Sequence, residues 1–289
     1  MNRILLLLGL CATLLCGCKP KATADRPEGD QPVLTVSIEP LRYLVEAIAG
    51  PHYRVVTLVP GGSSPETYEP TPRQIVALTQ SVAYFAVGDL GFERTWLPRL
   101  RQNASEVTFV NTSEGIAPVP GQHHHHGGEV HGDPHVWTSP QHYAIMAAAV
   151  CQALSRLNPQ QAPTFASNLQ RLEQQLQHTH DSITGLLQHC SHRTFLIYHP
   201  ALTCYASQYR LRQIPIEYEG KEPSAAQLAQ LTRLCHDEHI RTILVQEGFD
   251  TRNAMLLAHD TDTRVASVNP LAYDWPQEMI RIAHLLAQP

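Results

Sequence analysis

From residue 33 onward the chain alternates short, nearly continuous apolar runs with stretches in which apolar residues recur every three or four positions. Runs of the first kind lie at 33–38, 53–59, 82–87 and 106–110, and again at 194–198, 213–217, 241–246 and 264–268. Their length and continuity predict strands buried on both faces. Helical patterns fall between them, at 40–49 and 73–80 in the first half. Alternation of this kind predicts parallel βα units, and the two halves repeat it.

Between the halves, Phe165, Leu169, Leu172, Leu176, Ile183 and Leu187 recur at three- and four-residue steps among polar residues. They predict one amphipathic helix, with Pro163 in its first turn. Running to about Gln188, it would be on the order of 35 Å long at 1.5 Å per residue. The expected fold is α/β: two lobes of βα repeats, each on a parallel sheet, joined by one long backbone helix. The expected divisions are an N-terminal lobe over 33–157, the linker helix over 158–190 and a C-terminal lobe over 191–289.

Residues 1–32 follow neither pattern. Arg3 precedes an apolar run over 4–15, too short for a hydrocarbon core of about 30 Å but proportioned as a secretory signal. It ends Leu15-Cys16-Gly17-Cys18, which resembles a bacterial lipobox. Residues 1–18 are therefore expected to be a lipoprotein signal with Cys18 lipidated; the other reading is an ordinary signal peptide cut nearby. Residues 19–32, rich in Lys, Pro, Gly and acidic side chains, are expected to be a flexible tether. The expected location is extracytoplasmic, anchored to a bacterial membrane.

Charge excludes one class of partner. The chain carries 21 Lys and Arg against 26 Asp and Glu, and its cations are scattered, which leaves no basic face for nucleic acid. Beyond the signal stand Cys151, Cys190, Cys204 and Cys235. None forms a CxxC pair, so a cysteine-built zinc site is not expected. Export permits disulfides, but four cysteines allow three full pairings, and buried free thiols are an equal alternative.

In an open parallel sheet, ligands bind beyond the carboxyl ends of the strands. Four such places hold metal-ligand types: Glu66 after the run at 53–59, His135 in Asp133-Pro134-His135-Val136-Trp137, His199 after the run at 194–198, and Glu247 after the run at 241–246. Glu247 suits either a fourth ligand or a hydrogen-bond partner of a ligating histidine. Each has a plainer reading alone: a solvated loop carboxylate for Glu66, satisfied structural histidines for His135 and His199. The glycine-flanked segment 122–132 holds His123, His124, His125, His126 and His131. Clustered imidazoles on flexible chain gather zinc, copper or nickel loosely, and a merely solvated loop is the alternative. His236 and His239 read as a solvated helix end.

Taken in order, the stretches Pro65-Glu66-Thr67-Tyr68-Glu69-Pro70, Asp133-Pro134-His135-Val136-Trp137 and Tyr198-His199-Pro200-Ala201 resemble one family, the ZnuA-like zinc and manganese substrate-binding lipoproteins of ABC importers. The family carries Pro-His-x-Tyr-Glu-Pro, Asp-Pro-His-x-Trp and Tyr-His-x-Ala at these places, and the resemblance runs from residue 33 to the C-terminus. It implies two lobes joined by one long helix, and a buried metal site between them. Glu66, His135 and His199 would hold Zn²⁺ or Mn²⁺, with Glu247, Asp274 or water as fourth ligand. The implied function is capture of a divalent transition metal and its delivery to an ABC transporter permease, by a monomeric protein that is not an enzyme.

Two positions depart from the family. Glu66 stands where the family has its first histidine, and Asn269 stands where manganese members often carry a carboxylate. A Glu-His-His set suits zinc, yet the extra oxygen ligand also suits manganese. The His-rich loop resembles that of zinc-specific members. A zinc hydrolase is the first alternative, with Glu69 or Glu247 as base, although neither HExxH nor GxSxG is present. A surface adhesin with a structural metal is the second.

Overall fold

The computed structural model describes residues 31–120, 132–218 and 220–288. The expected signal with Cys18, nearly all of the tether, and the histidines at 123–126 and 131 lie outside the described residues.

The described strands form two four-stranded sheets, parallel throughout. The first contains β1 (Val33–Val36), β2 (Arg54–Thr57), β3 (Ala83–Ala86) and β4 (Thr108–Asn111), in the order β2-β1-β3-β4. The second contains β5 (Thr194–Ile197), β6 (Arg212–Pro215), β7 (Thr242–Gln246) and β8 (Arg264–Val268), in the order β6-β5-β7-β8. In each sheet the chain winds outward both ways from its first strand. The switch points therefore fall between β1 and β3 and between β5 and β7, where open α/β sheets hold ligands. Burial of every residue of β3 and β7 explains their unbroken apolar runs.

Several ladders are shorter than the apolar runs that predict them. The run at 82–87 yields β3 over Ala83–Ala86, because the Val87 and Gly88 amides leave the ladder to bond the buried Glu93 carboxylate at 2.8 and 2.7 Å. Hydrophobicity continues past the strand ends, and the backbone there serves the loops.

Nine α-helices are described: α1 (Glu39–Ala49), α2 (Pro72–Leu78), α3 (Gly91–Asn103), α4 (Pro140–Leu157), α5 (Ala162–Leu187), α6 (Thr203–Gln208), α7 (Ala225–Asp237), α8 (Arg252–Thr261) and α9 (Trp275–Ala287). The 26-residue α5 buries Phe165, Leu172, Leu176, Ile183 and Leu187, packing on α1 and α4 of the first half and on α9 of the second. One continuous apolar core consequently runs from Leu34 and Val36 through α4 and α5 to Phe195, Trp275 and Ile282. A smaller core, with Leu196, Ile216, Ile243 and Leu257, lies on the other side of the second sheet. Cys151, Cys190, Cys204 and Cys235 are free thiols. No described helix is long and apolar enough to cross a membrane. His236 lies in the last turn of α7, and His239 lies beyond the helix at φ +52°, so the pair does not share a helical face.

Candidate metal centre

Three loops bring three side chains to one point. The loop after β2 carries Glu66 and is fastened at both flanks. The Pro65 carbonyl accepts from the Phe92 amide at 3.1 Å, and the Tyr68 ring meets Phe92 edge-on. Beyond it, Thr71 and Gln74 form a capping box on α2, and Gln74 Nε2 donates to the Leu58 carbonyl at 2.7 Å. A glycine-rich loop is thereby given one shape.

His135 is fixed by its neighbour Asp133, whose Oδ1 accepts from the His135 backbone amide at 2.8 Å and lies 3.0 Å from ring Nδ1. Just beyond, Trp137 Nε1 donates to the Pro270 carbonyl at 2.8 Å, and Trp275 Nε1 donates to the Trp137 carbonyl at 2.8 Å. The His135 loop is thus tied to the second half of the chain.

His199 follows β5 and is held by β7. Gln246 accepts from its backbone amide at 3.2 Å and donates to its carbonyl at 2.5 Å. Glu217, just past β6, places Oε1 2.7 Å from ring Nδ1, and Phe249 stacks on the ring with centroids 5.8 Å apart.

The ligating atoms of Glu66, His135 and His199 all lie within 4.8 Å of one another. His135 Nε2 is 3.4 Å from His199 Nε2 and 3.8 Å from Glu66 Oε1. Carboxylates only accept hydrogen bonds, so Asp133 and Glu217 fix Nδ1 of both rings as donors. In the neutral rings both Nε2 atoms are then lone pairs, aimed at each other and joined by a carboxylate oxygen. That Glu66 Oε1 is buried and has no hydrogen-bond partner. Three lone pairs converging in a buried place repel one another unless a cation or a proton lies between them. Burial opposes charge on His135, but Asp133, Glu66 and Glu217 outweigh it and raise the imidazole pKa above the usual value. For Asp133 burial is likewise opposed, here by the His135 ring and its hydrogen bonds, and the carboxyl pKa is lowered.

The point lies in a cleft of roughly 400 Å³, lined among others by Trp137, Phe249, Pro270 and Leu271. Glu247 also lines it but is outside the three-residue group, its carboxylate instead accepting from Asn269 Nδ2 at 2.9 Å. The histidine-orienting role considered for Glu247 falls to Glu217 at His199 and to Asp133 at His135. Asp274 caps α9 through the Gln277 amide. Glu217 and Gln246 carried no motif signal; Gln246 ends β7 and Glu217 lies just past β6, the two strands beside β5, and that placement was the one clue to them.

Residues 34–282 match the family described as ZnuA, zinc-uptake complex component A, periplasmic. Over 279 residues the chain is 29% identical to the zinc-binding lipoprotein AdcA of Streptococcus pneumoniae, covering 92% of this chain and 54% of that one. It therefore spans about half the length of these streptococcal relatives. A crystal structure of ZnuA matches with a TM-score of 0.83 at 33% identity, over 89% of this chain and 98% of that one. A manganese-bound mutant of a periplasmic metal binding protein from Candidatus Liberibacter asiaticus matches with a TM-score of 0.79 at 15% identity, over 89% and 98% of the two chains. That last likeness is one of fold.

Proposed function

The chain belongs to the zinc-uptake complex component A family, and from that premise we propose that it captures a divalent transition metal outside the cytoplasm, zinc foremost, and passes it to an ABC importer. Glu66, His135 and His199 are the protein ligands, and the fourth position is left to water or to Glu247. The lobes over 33–157 and 191–289 and the linker over 158–190 form the capture body. Cys18 anchors it to a membrane through the tether, and the histidines of segment 122–132 supply metal to the cleft.

One observation carries this reading: the 3.4 Å between His135 Nε2 and His199 Nε2, beside the orphaned Glu66 oxygen. Two nitrogens bound at 2.0–2.1 Å to a tetrahedral zinc stand about 3.3 Å apart. The spacing is one that a bound ion can bridge, and zinc is placed foremost because the matched family is a zinc-uptake component, although Glu66 adds the oxygen ligand that manganese also accepts. A capture role is preferred to hydrolysis because, of the two carboxylates suited to be a base, Glu69 does not line the cleft and Glu247 is engaged by Asn269 Nδ2.

The test is a competitive titration, against a chromophoric chelator, of the chain from residue 19 onward, with and without segment 122–132. A single zinc ion should bind in both forms, at least about a hundredfold tighter than manganese. The absence of a tight site for either metal would overturn the reading.

A further inference from the structure

Glu66 owes its position to the N-terminus of α3, and the contact between them leaves no room for a side chain. A methyl group built on Gly91, the first residue of α3, would stand 2.2 Å from the Glu66 carbonyl oxygen and 2.9 Å from its carbonyl carbon and Cα. Contacts this short to backbone cannot be relieved by turning a side chain. Gly91 is not among the glycines at positive φ, so its conformation is open to any residue. The requirement for glycine here is one of approach alone.

The surroundings make this contact a register for the loop. The amide of Phe92 holds the Pro65 carbonyl at 3.1 Å, and the Phe92 ring holds Tyr68, so Gly91 and Phe92 grip the chain on both sides of Glu66. The helix end is itself tied down. Glu93, wholly buried, accepts the amides of Val87, Gly88 and Leu90 and the hydroxyl of Ser37, tying α3 to the carboxyl ends of β1 and β3. The path runs from two central strands through Glu93 to Gly91, and from Gly91 to the Glu66 main chain.

We infer that Gly91 is a positioning residue for the metal site: by lacking a side chain it sets how deeply Glu66 reaches toward His135 and His199. The inference rests on the proposed role of Glu66 as a metal ligand. In the structure the glycine permits the Glu66 carboxylate to come within 3.8 Å of His135 Nε2. Displacing the loop outward would leave the two histidines intact and degrade the third ligand alone.

The experiment is a double-mutant cycle in zinc affinity, read by chelator competition on wild type, Gly91→Ala, Glu66→Ala and the double variant, with thermal unfolding of each apo chain. Gly91→Ala is expected to weaken zinc by about 10- to 100-fold, the range for residues that orient ligands. Its unfolding temperature should fall modestly while the chain still folds, because the backbone contact is relieved only by shifting the loop. In the Glu66→Ala background the same change should alter affinity by less than about twofold, because the ligand it positions is gone. Equal weakening in both backgrounds, wild-type affinity for Gly91→Ala, or its failure to fold would each overturn the positioning role while leaving the metal site standing. Wild-type affinity for Glu66→Ala would remove Glu66 from the site and the positioning role of Gly91 with it, while metal capture by the two histidines stood.

Discussion

His135 Nε2 and His199 Nε2 face each other across 3.4 Å, and they belong to opposite halves of the chain. Each ring is turned to that position by its own carboxylate, Asp133 on one side and Glu217 on the other. His135→Ala or His199→Ala should each weaken zinc binding by more than about a hundredfold, since removing a ligand exceeds the cost of removing its support. Chelator competition measures this, and near wild-type affinity in both variants would dismantle the site.

Glu217 allows a graded test. Glu217→Ala removes the acceptor of His199 Nδ1 and should weaken zinc by about 10- to 100-fold. Glu217→Gln keeps an accepting oxygen but loses the charge, so its loss should be smaller. Equal losses in the two variants would mean that charge, and not ring orientation, is what Glu217 supplies.

Acid should release the metal, and the sign follows from His135. Its pKa is raised in the apo protein, so a proton begins to compete for Nε2 at a pH above the ordinary histidine value of about 6.5. Zinc affinity measured from pH 8 to pH 5.5 should fall as pH drops, starting above 6.5. Apo stability should run the other way. A raised folded pKa contributes stability that is fully present below about 6.5 and is lost as pH rises through the folded value. In His135→Ala the pH dependence of the apo unfolding temperature should flatten across that window.

The paired tryptophans predict a stability effect apart from metal binding. Trp275→Phe deletes the donor to the Trp137 carbonyl and leaves a buried acceptor unpaired, at a cost of about 1–3 kcal/mol. Calorimetry of the apo protein should show the loss, and an unchanged unfolding temperature would remove this bond from the account.

The strand grammar, the long helix and the three ligand candidates were legible because they depend on periodicity and on residues that follow strands. The orienting groups were not. Asp133 sits in a readable motif, but its task depends on a local turn that returns Oδ1 to the His135 amide and ring. Glu217 reaches His199 only because β6 lies beside β5, and sheet order is not written in a local pattern. Glu247 lines the cleft but stands outside the group of Glu66, His135 and His199. A residue after a strand end has two sides to turn to, and the amide at Asn269 draws its carboxylate away. The need for Gly91 was invisible for a simpler reason: its partner, the Glu66 main chain, is distant in sequence.

Trp137 stands two residues beyond His135 and also bonds Pro270 and carries the bond from Trp275. The segment that presents a ligand is therefore also a rivet between the halves of the molecule. Forcing those halves apart would load this segment together with the shared core, and the strain would reach His135. Opening the body and loosening the grip of His135 would then be one mechanical event.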